Sequence, residues 1–195
     1  MTGTFKEKIQ AIAAKYLVPS YYGYAFPFDA DNPLSVTPEE GEYIHDFILD
    51  KGIESAIEIG TGTGYSGLYM ATALKNLYTI DNGSCFTHLE HPREELRTLW
   101  ESMCEDMGLT NIKFLWRDEP FELPKVDMLF IDGAHGGDLP YQDFVEYSPH
   151  LKDKHWVLWH DWDITFVRDS VAKTGYNYKL ISLPHTYGLV IAEKK

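Results

Sequence analysis

The stretch Ala56-Ile57-Glu58-Ile59-Gly60-Thr61-Gly62-Thr63-Gly64-Tyr65-Ser66-Gly67 constrains this chain more than any other. A short apolar run ends in an acidic residue and a ladder of glycines, and a helix-compatible segment continues from Leu68 to Lys75. The pattern predicts a strand, a tight turn and a helix start. Glycine has no Cβ and takes positive φ at little cost, so such a turn brings bare backbone close to a nucleotide-like ligand.

Two motifs overlap here. Gly62, Gly64 and Gly67 fit G-x-G-x-x-G, the dinucleotide fingerprint, which places a pyrophosphate at a helix N-terminus. Glu58, Gly60, Gly62 and Gly64 fit E-x-G-x-G-x-G, which resembles motif I of the class I S-adenosylmethionine methyltransferases. A carboxylate just before the glycines would repel a pyrophosphate. It suits a ligand carrying an ammonium and a sulfonium, so Glu58 favours S-adenosylmethionine.

Around this loop the chain alternates. Strands are expected at Ser55–Ile59, Leu77–Ile80, Ile112–Trp116, Met128–Ile131 and Trp156–Trp159. Helices are expected near Tyr65–Leu74, Arg93–Met107, Tyr141–Tyr147 and Ile164–Lys173. Apolar strands alternating with helices predict a mostly parallel sheet covered on both faces. The end differs: Tyr178–Leu183, a turn at Pro184-His185-Thr186 and Tyr187–Ala192 read as two strands pairing antiparallel. The expected fold is α/β, Rossmann-like, with a seven-stranded, mostly parallel sheet closed by that C-terminal hairpin. Plain dinucleotide folds lack such a reversed strand, and the arrangement resembles the class I methyltransferase fold.

Residues 1–50 are expected to supply N-terminal helices and an aromatic lid segment, and residues 51–195 the core, as one compact domain. Phe5 to Leu17 is amphipathic. Tyr21, Tyr22, Tyr24, Phe26 and Phe28 belong to an irregular stretch that can cover a substrate or pack on the sheet edge. Thr37-Pro38-Glu39-Glu40 carries a capping box and a proline suited to a first helical turn. The helix it starts is expected to reach about Asp50.

Net charge is −13, with 17 Lys and Arg scattered among 30 Asp and Glu. Nucleic-acid binding draws on clustered cations, so DNA and RNA are disfavoured as substrates. No apolar run is long enough for a membrane span, and the N-terminus lacks the apolar core of a signal peptide. Cys85 and Cys104 give no disulfide framework, and a reduced cytoplasmic setting is the simplest reading.

Asp81 closes the second strand about 20 residues after the loop, where an acid suits a ribose diol. Arg117 and Asp118 follow the third strand, in the segment that the resemblance to class I methyltransferases implies would line an adenine pocket. Two further strands end in Asp132-Gly133-Ala134-His135 and in His160-Asp161-Trp162-Asp163. In the expected topology these strands are neighbours, about 4.8 Å apart. Ligands bind at the carboxyl ends of such strands, so Asp132 and Asp161 would face one crevice. Two carboxylates that close need a proton or a cation between them. Oxygen ligands alone select Mg²⁺ or Ca²⁺, and added imidazole admits Mn²⁺ or Fe²⁺. His135 has the chemistry to take a proton from a hydroxyl near neutral pH.

Ile131-Asp132-Gly133-Ala134-His135, followed by an acidic helix and His160-Asp161, resembles the small O-methyltransferases called "methyltransferase family 24". Related members include macrocin- and mycinamicin-type sugar O-methyltransferases and cephalosporin-hydroxylase-like proteins. The resemblance spans roughly Ile53 to Asp163. It implies that Asp132 and the His160-Asp161 pair bind Mg²⁺ or another divalent cation, and that His135 acts as base. This chain carries His160 where those relatives carry an acid, and Asp163 is the nearby alternative acid. The resemblance also admits a homo-oligomer.

The function these residues point to is S-adenosylmethionine-dependent O-methylation of a small hydroxylated molecule. Gly60, Gly62, Gly64 and Asp81 would hold the cofactor. Glu58 would organise the loop or meet the methionine ammonium. Two other readings use the same loop: an NAD(P)-dependent oxidoreductase, and a nucleoside-binding subunit without turnover.

Overall fold

The computed structural model describes residues 4–16, 36–84, 90–183 and 186–194. The aromatic stretch from Tyr21 to Phe28, Cys85 and the turn residues Pro184 and His185 lie outside them. The helices are α1 (Phe5–Tyr16), α2 (Pro38–Lys51), α3 (Tyr65–Ala71), α4 (Pro92–Met107), α5 (Leu139–Tyr147) and α6 (Thr165–Thr174). The strands are β1 (Ser55–Ile59), β2 (Asn76–Asp81), β3 (Ile112–Trp116), β4 (Val126–Ile131), β5 (Leu151–Trp159), β6 (Tyr178–Ile181) and β7 (Leu189–Lys194).

One seven-stranded sheet runs in the order β3-β2-β1-β4-β5-β7-β6. The first five strands in that order pair parallel, and β7 lies antiparallel between β5 and β6. This is the expected class I methyltransferase arrangement, with the reversed strand where the C-terminal hairpin predicts it. β5 starts five residues earlier than its apolar run suggests. Its exposed first half, Lys152-Asp153-Lys154, hides it from a hydropathy reading. A register shift between Val126 and Met128 accommodates the extra length.

β1 is an interior strand between β2 and β4, and its side chains are buried on both faces from Ala56 onward. Strand alternation divides the core. Ala56, Met128, Phe130 and Leu158 face a layer that includes Ile9, Ile12, Ile44, Ile48, Tyr69 and Trp100. Ile57, Ile59, Leu129, Ile131, Val157 and Trp159 face Phe144, Val167 and Val171 across the other surface. The sequence of α2 accounts for both of its ends. Thr37 accepts the Glu40 amide, Glu40 accepts the Thr37 amide, and Gly52 closes the helix in the left-handed conformation at φ +62. Ile44 and Ile48 are one turn apart and bury completely, each contributing roughly 1.5–3 kcal/mol.

The alternation also sets the polar strand ends. Asp132 follows Phe130 by two residues and His160 follows Leu158 by two. Both are therefore directed toward the α2 side, and the register pairs Ile131 with Trp159 just before them. β1 and β4 meet still more closely. A Cβ on Gly60 would lie 2.6 Å from the Asp132 carbonyl carbon and 2.8 Å from the Gly133 Cα, and Gly60 has φ +91. Gly60→Ala adds a backbone clash to left-handed strain. The expected loss is about 3 kcal/mol or more, read as a lowered midpoint in urea unfolding.

Candidate active site

The glycine loop rests on a buried polar column. Gly60, Gly62 and Gly64 all have positive φ, and Gly64 caps α3 without any side-chain hydrogen bond. Beneath them Glu58 is fully buried. Its Oε1 accepts the Ser66 hydroxyl at 2.5 Å and its Oε2 accepts the Thr79 hydroxyl at 2.6 Å. The Thr79 hydroxyl lies 2.5 Å from that of Thr61. Of the two roles expected for Glu58, this position serves loop organisation. Burial pushes its carboxyl up to about 8, against the pull of the Ser66 and Thr79 hydroxyls.

Asp81 ends β2 beside the loop. Its two oxygens accept the amides of Gly62 at 2.8 Å and Gly83 at 2.6 Å. Burial raises its carboxyl, and these backbone donors oppose the rise. Trp100, on α4, donates its indole N–H to the Gly62 carbonyl at 3.0 Å. Sequence reasoning misses this anchor, because a tryptophan on an apolar helix face gives only a core signal.

Arg117 and Asp118 are placed differently from each other. Arg117 donates to the buried Asp143 of α5 at 2.6 Å and pairs with Glu146. Asp118 pairs at the surface with Arg93 at 2.6 Å. Arg93 also lies over the buried Trp116 ring, 5.2 Å from its centroid.

The ends of β4 and β5 form the carboxylate cluster. His160 donates its amide to the Ile131 carbonyl, so His160 stands directly across from Asp132. Asp161 then turns out of the strand at φ +58, the one non-glycine residue with positive φ among those described. An aspartate tolerates this better than most residues do. The turn brings its carboxylate back toward two histidines. Its Oδ2 lies 3.0 Å from Nε2 of His135, and its Oδ1 lies 3.4 Å from Nδ1 of His160. His160 Nδ1 is also 3.1 Å from Asp132 Oδ1, while its Nε2 meets Glu40 of α2 at 3.0 Å. His160 is 3% exposed, and its side chain lies beneath the cluster. His135, with 28% of its side chain exposed, forms the outer edge.

The electrostatics follow. Burial works to lower the His160 pKa, but Asp132, Asp161 and Glu40 outweigh it and hold the ring charged well above its ordinary range. Burial raises Asp132 against the attraction of His160. Asp161 is also buried, yet His135 and His160 hold its carboxyl well below the usual carboxylate range. His135 is raised, because Asp161 and Asp132 overcome its own burial.

Asp132, His135 and Asp161 each offer one ligand atom, and those atoms lie within 4.8 Å of one another. The buried Nε2 of His135 and Nδ1 of His160 stand close to carboxylates without an aligned hydrogen bond. Convergent carboxylates with nearby imidazole nitrogens fit a divalent cation, and the mixed donors suit Mn²⁺ or Fe²⁺ at least as well as Mg²⁺. A separate cavity of about 1100 Å³ opens near the far end of α2, against β5, β6 and β7, and is lined by Tyr43, Phe47, Trp156 and Tyr178. It contains none of these groups.

A family model described as a methyltransferase domain matches residues 57–162. No curated protein matches the chain by sequence. Among solved structures, an O-methyltransferase from Bacillus cereus in complex with SAH aligns with TM-score 0.67 at 14% identity, over 100% of this chain and 92% of that one. The O-methyltransferase TomG from Streptomyces achromogenes, involved in tomaymycin synthesis and solved with SAM, aligns with TM-score 0.65 at 18% identity, over 98% and 90%. The tRNA (m1A58) methyltransferase TrmI from Aquifex aeolicus aligns comparably, with TM-score 0.66 at 18% identity over 99% and 76%. Likeness at this level identifies the fold and does not choose among acceptors.

The buried Glu58 makes stability depend on pH in a stated direction. A carboxyl raised from 4.5 to about 8 contributes stability that is fully present below the unfolded value and is lost as pH rises through the folded one. Glu58→Gln keeps partners for Ser66 and Thr79 and removes the titration. Between pH 5 and pH 9 the wild type is expected to lose on the order of 4 kcal/mol relative to that variant, measured by urea unfolding across the range.

Proposed function

The chain belongs to the methyltransferase-domain family, and on that premise we propose that it transfers the methyl group of S-adenosylmethionine to a hydroxyl of a small molecule. The observation that carries this reading is the juxtaposition of the glycine loop with the Asp132-His135-Asp161 cluster, brought together where Gly60 touches the backbone of Asp132. The O-methyltransferase relatives solved with SAM or SAH support the choice of cofactor. The net charge of −13 argues against a tRNA-type acceptor, whatever the fold shares with an enzyme that uses one.

Gly60, Gly62 and Gly64 present backbone to the nucleoside, and Asp81 stands where the ribose hydroxyls would lie. Asp118 is the residue after β3 that can meet an adenine amine, because its pair with Arg93 is an exchangeable surface contact. Arg117 is tied to a buried carboxylate and stays structural. S-adenosylmethionine, when bound, supplies an activated methyl on a sulfonium. Alignment and deprotonation are then the tasks left to the protein.

His135 takes the acceptor proton. Nε2 lies 3.0 Å from Asp161, and Nδ1 is the nitrogen left to act as base. Asp132 and Asp161 hold the acceptor oxygen's surroundings, and a divalent cation on the pair would lower the cost of placing an oxyanion there. A second reading rests on the same cluster: His135 Nε2 ligates the cation with Asp132 and Asp161, and then His135 cannot be oriented as base through that nitrogen.

Isothermal titration with S-adenosylhomocysteine, with NADH as control, tests the premise. Binding of the first and not the second is expected. NADH binding alone would return the loop to a dinucleotide. Asp81→Asn is expected to weaken S-adenosylhomocysteine about tenfold, since a charged hydrogen bond contributes roughly 1.5–3 kcal/mol. His135→Ala and Asp132→Ala should lose methyl transfer across a panel of catechol and sugar acceptors while keeping S-adenosylhomocysteine affinity. Retained transfer in both would remove the site assignment. Mn²⁺ affinity separates the two roles of His135: it is unchanged in His135→Ala if His135 is the base and falls if it is a ligand.

A further inference from the structure

Glu40 closes the capping box of α2 from a depth that no cap requires. A capping carboxylate works as well at the surface, and burying one costs far more than a cap returns. Yet Glu40 has no solvent exposure, and its Oε1 is buried without a hydrogen-bond partner. Its Oε2 accepts the Thr37 amide at 2.9 Å and meets His160 Nε2 at 3.0 Å. The other nitrogen of that ring faces Asp132 at 3.1 Å and Asp161 at 3.4 Å. A line of close polar contacts therefore runs from the first turn of α2, by a hydrogen bond to one imidazole, to both strand-end carboxylates, which Nδ1 approaches without an aligned hydrogen bond.

We propose that Glu40 is a positioning residue: acting through His160, it sets where the carboxylates of Asp132 and Asp161 stand to hold a divalent cation. The proposal rests on the cation reading of that pair. Geometry gives the reason. Strand alternation delivers His160 to the α2 side, where Glu40 receives Nε2 and fixes the ring plane. The fixed ring then presents Nδ1 to the two aspartates, one of which stands in a left-handed turn. A carboxylate that orients a histidine behind a metal centre is a recurrent device, and its loss typically weakens metal binding about 10–100-fold.

The test uses Mn²⁺ as probe, its free concentration read by electron paramagnetic resonance, on the wild type, Glu40→Gln, His160→Gln and the double variant. Glutamine also serves at the third helical position of a capping box, so the fold is retained. The melting temperature of Glu40→Gln should stay within about 5 °C of the wild type. Each single variant is expected to weaken Mn²⁺ about tenfold or more. The double variant should be no weaker than the weaker single, because both substitutions break one line. S-adenosylhomocysteine affinity should be unchanged throughout.

Wild-type Mn²⁺ affinity in Glu40→Gln would overturn the proposal. So would losses that add in the double variant, or a wild type that takes up no Mn²⁺. A fall in melting temperature with parallel losses of Mn²⁺ and S-adenosylhomocysteine binding would reduce Glu40 to a cap. Failure of the wild type to bind S-adenosylhomocysteine would instead remove the methyltransferase reading, and the Mn²⁺ series would stand apart from it.

Discussion

The contact between Gly60 and the backbone of Asp132 is the constraint on which the site depends. There is no room for a Cβ between the ends of β1 and β4. The glycine loop and the strand-end carboxylate of Asp132 are therefore held at one fixed separation. Everything on either side is arranged around that contact. The Asp132 amide donates to Ile59, the Gly60 amide donates to Ile80, and Asp81 reaches back to Gly62. Three parallel strand ends are thereby tied together at the mouth of the crevice.

Below that mouth the protein buries acids and satisfies them selectively. Glu58 is neutralised by depth and steadied by hydroxyls. Asp132, Asp161 and Glu40 are instead gathered around one imidazole. The two solutions suit two tasks. A loop support benefits from a neutral, hydrogen-bonded acid that does not disturb a charged ligand. The proposed site for an oxyanion or a cation would need charge kept available, and a buried imidazole among carboxylates keeps it.

Most of the fold was legible because hydrophobic period and turn chemistry are local. The glycine ladder, the apolar strands of β1 to β4 and the capping box of α2 each announce themselves within a few residues. β5 was only half visible, since Lys152-Asp153-Lys154 are solvent-facing and carry no apolar signal. The site was legible as a set of strand-end residues. Their partners were not. Glu40 lies 120 residues from His160, and Trp100 lies 38 residues from Gly62. Arg117, expected near an adenine, is drawn to Asp143 and Glu146 by a helix whose position no local pattern reveals.

By itself the sequence determined the element order, the nucleoside-type loop and the placement of Asp132, His135, His160 and Asp161 at strand ends. Those properties follow from backbone sterics and side-chain period, which act over a few residues. Only the tertiary structure decided what each titratable group does. It made Glu58 a buried support and put His160 beneath the cluster. It also brought Glu40 of α2 to the far nitrogen of that ring. Burial and through-space charge fix these roles, and both depend on which distant segments the sheet order and strand alternation bring together.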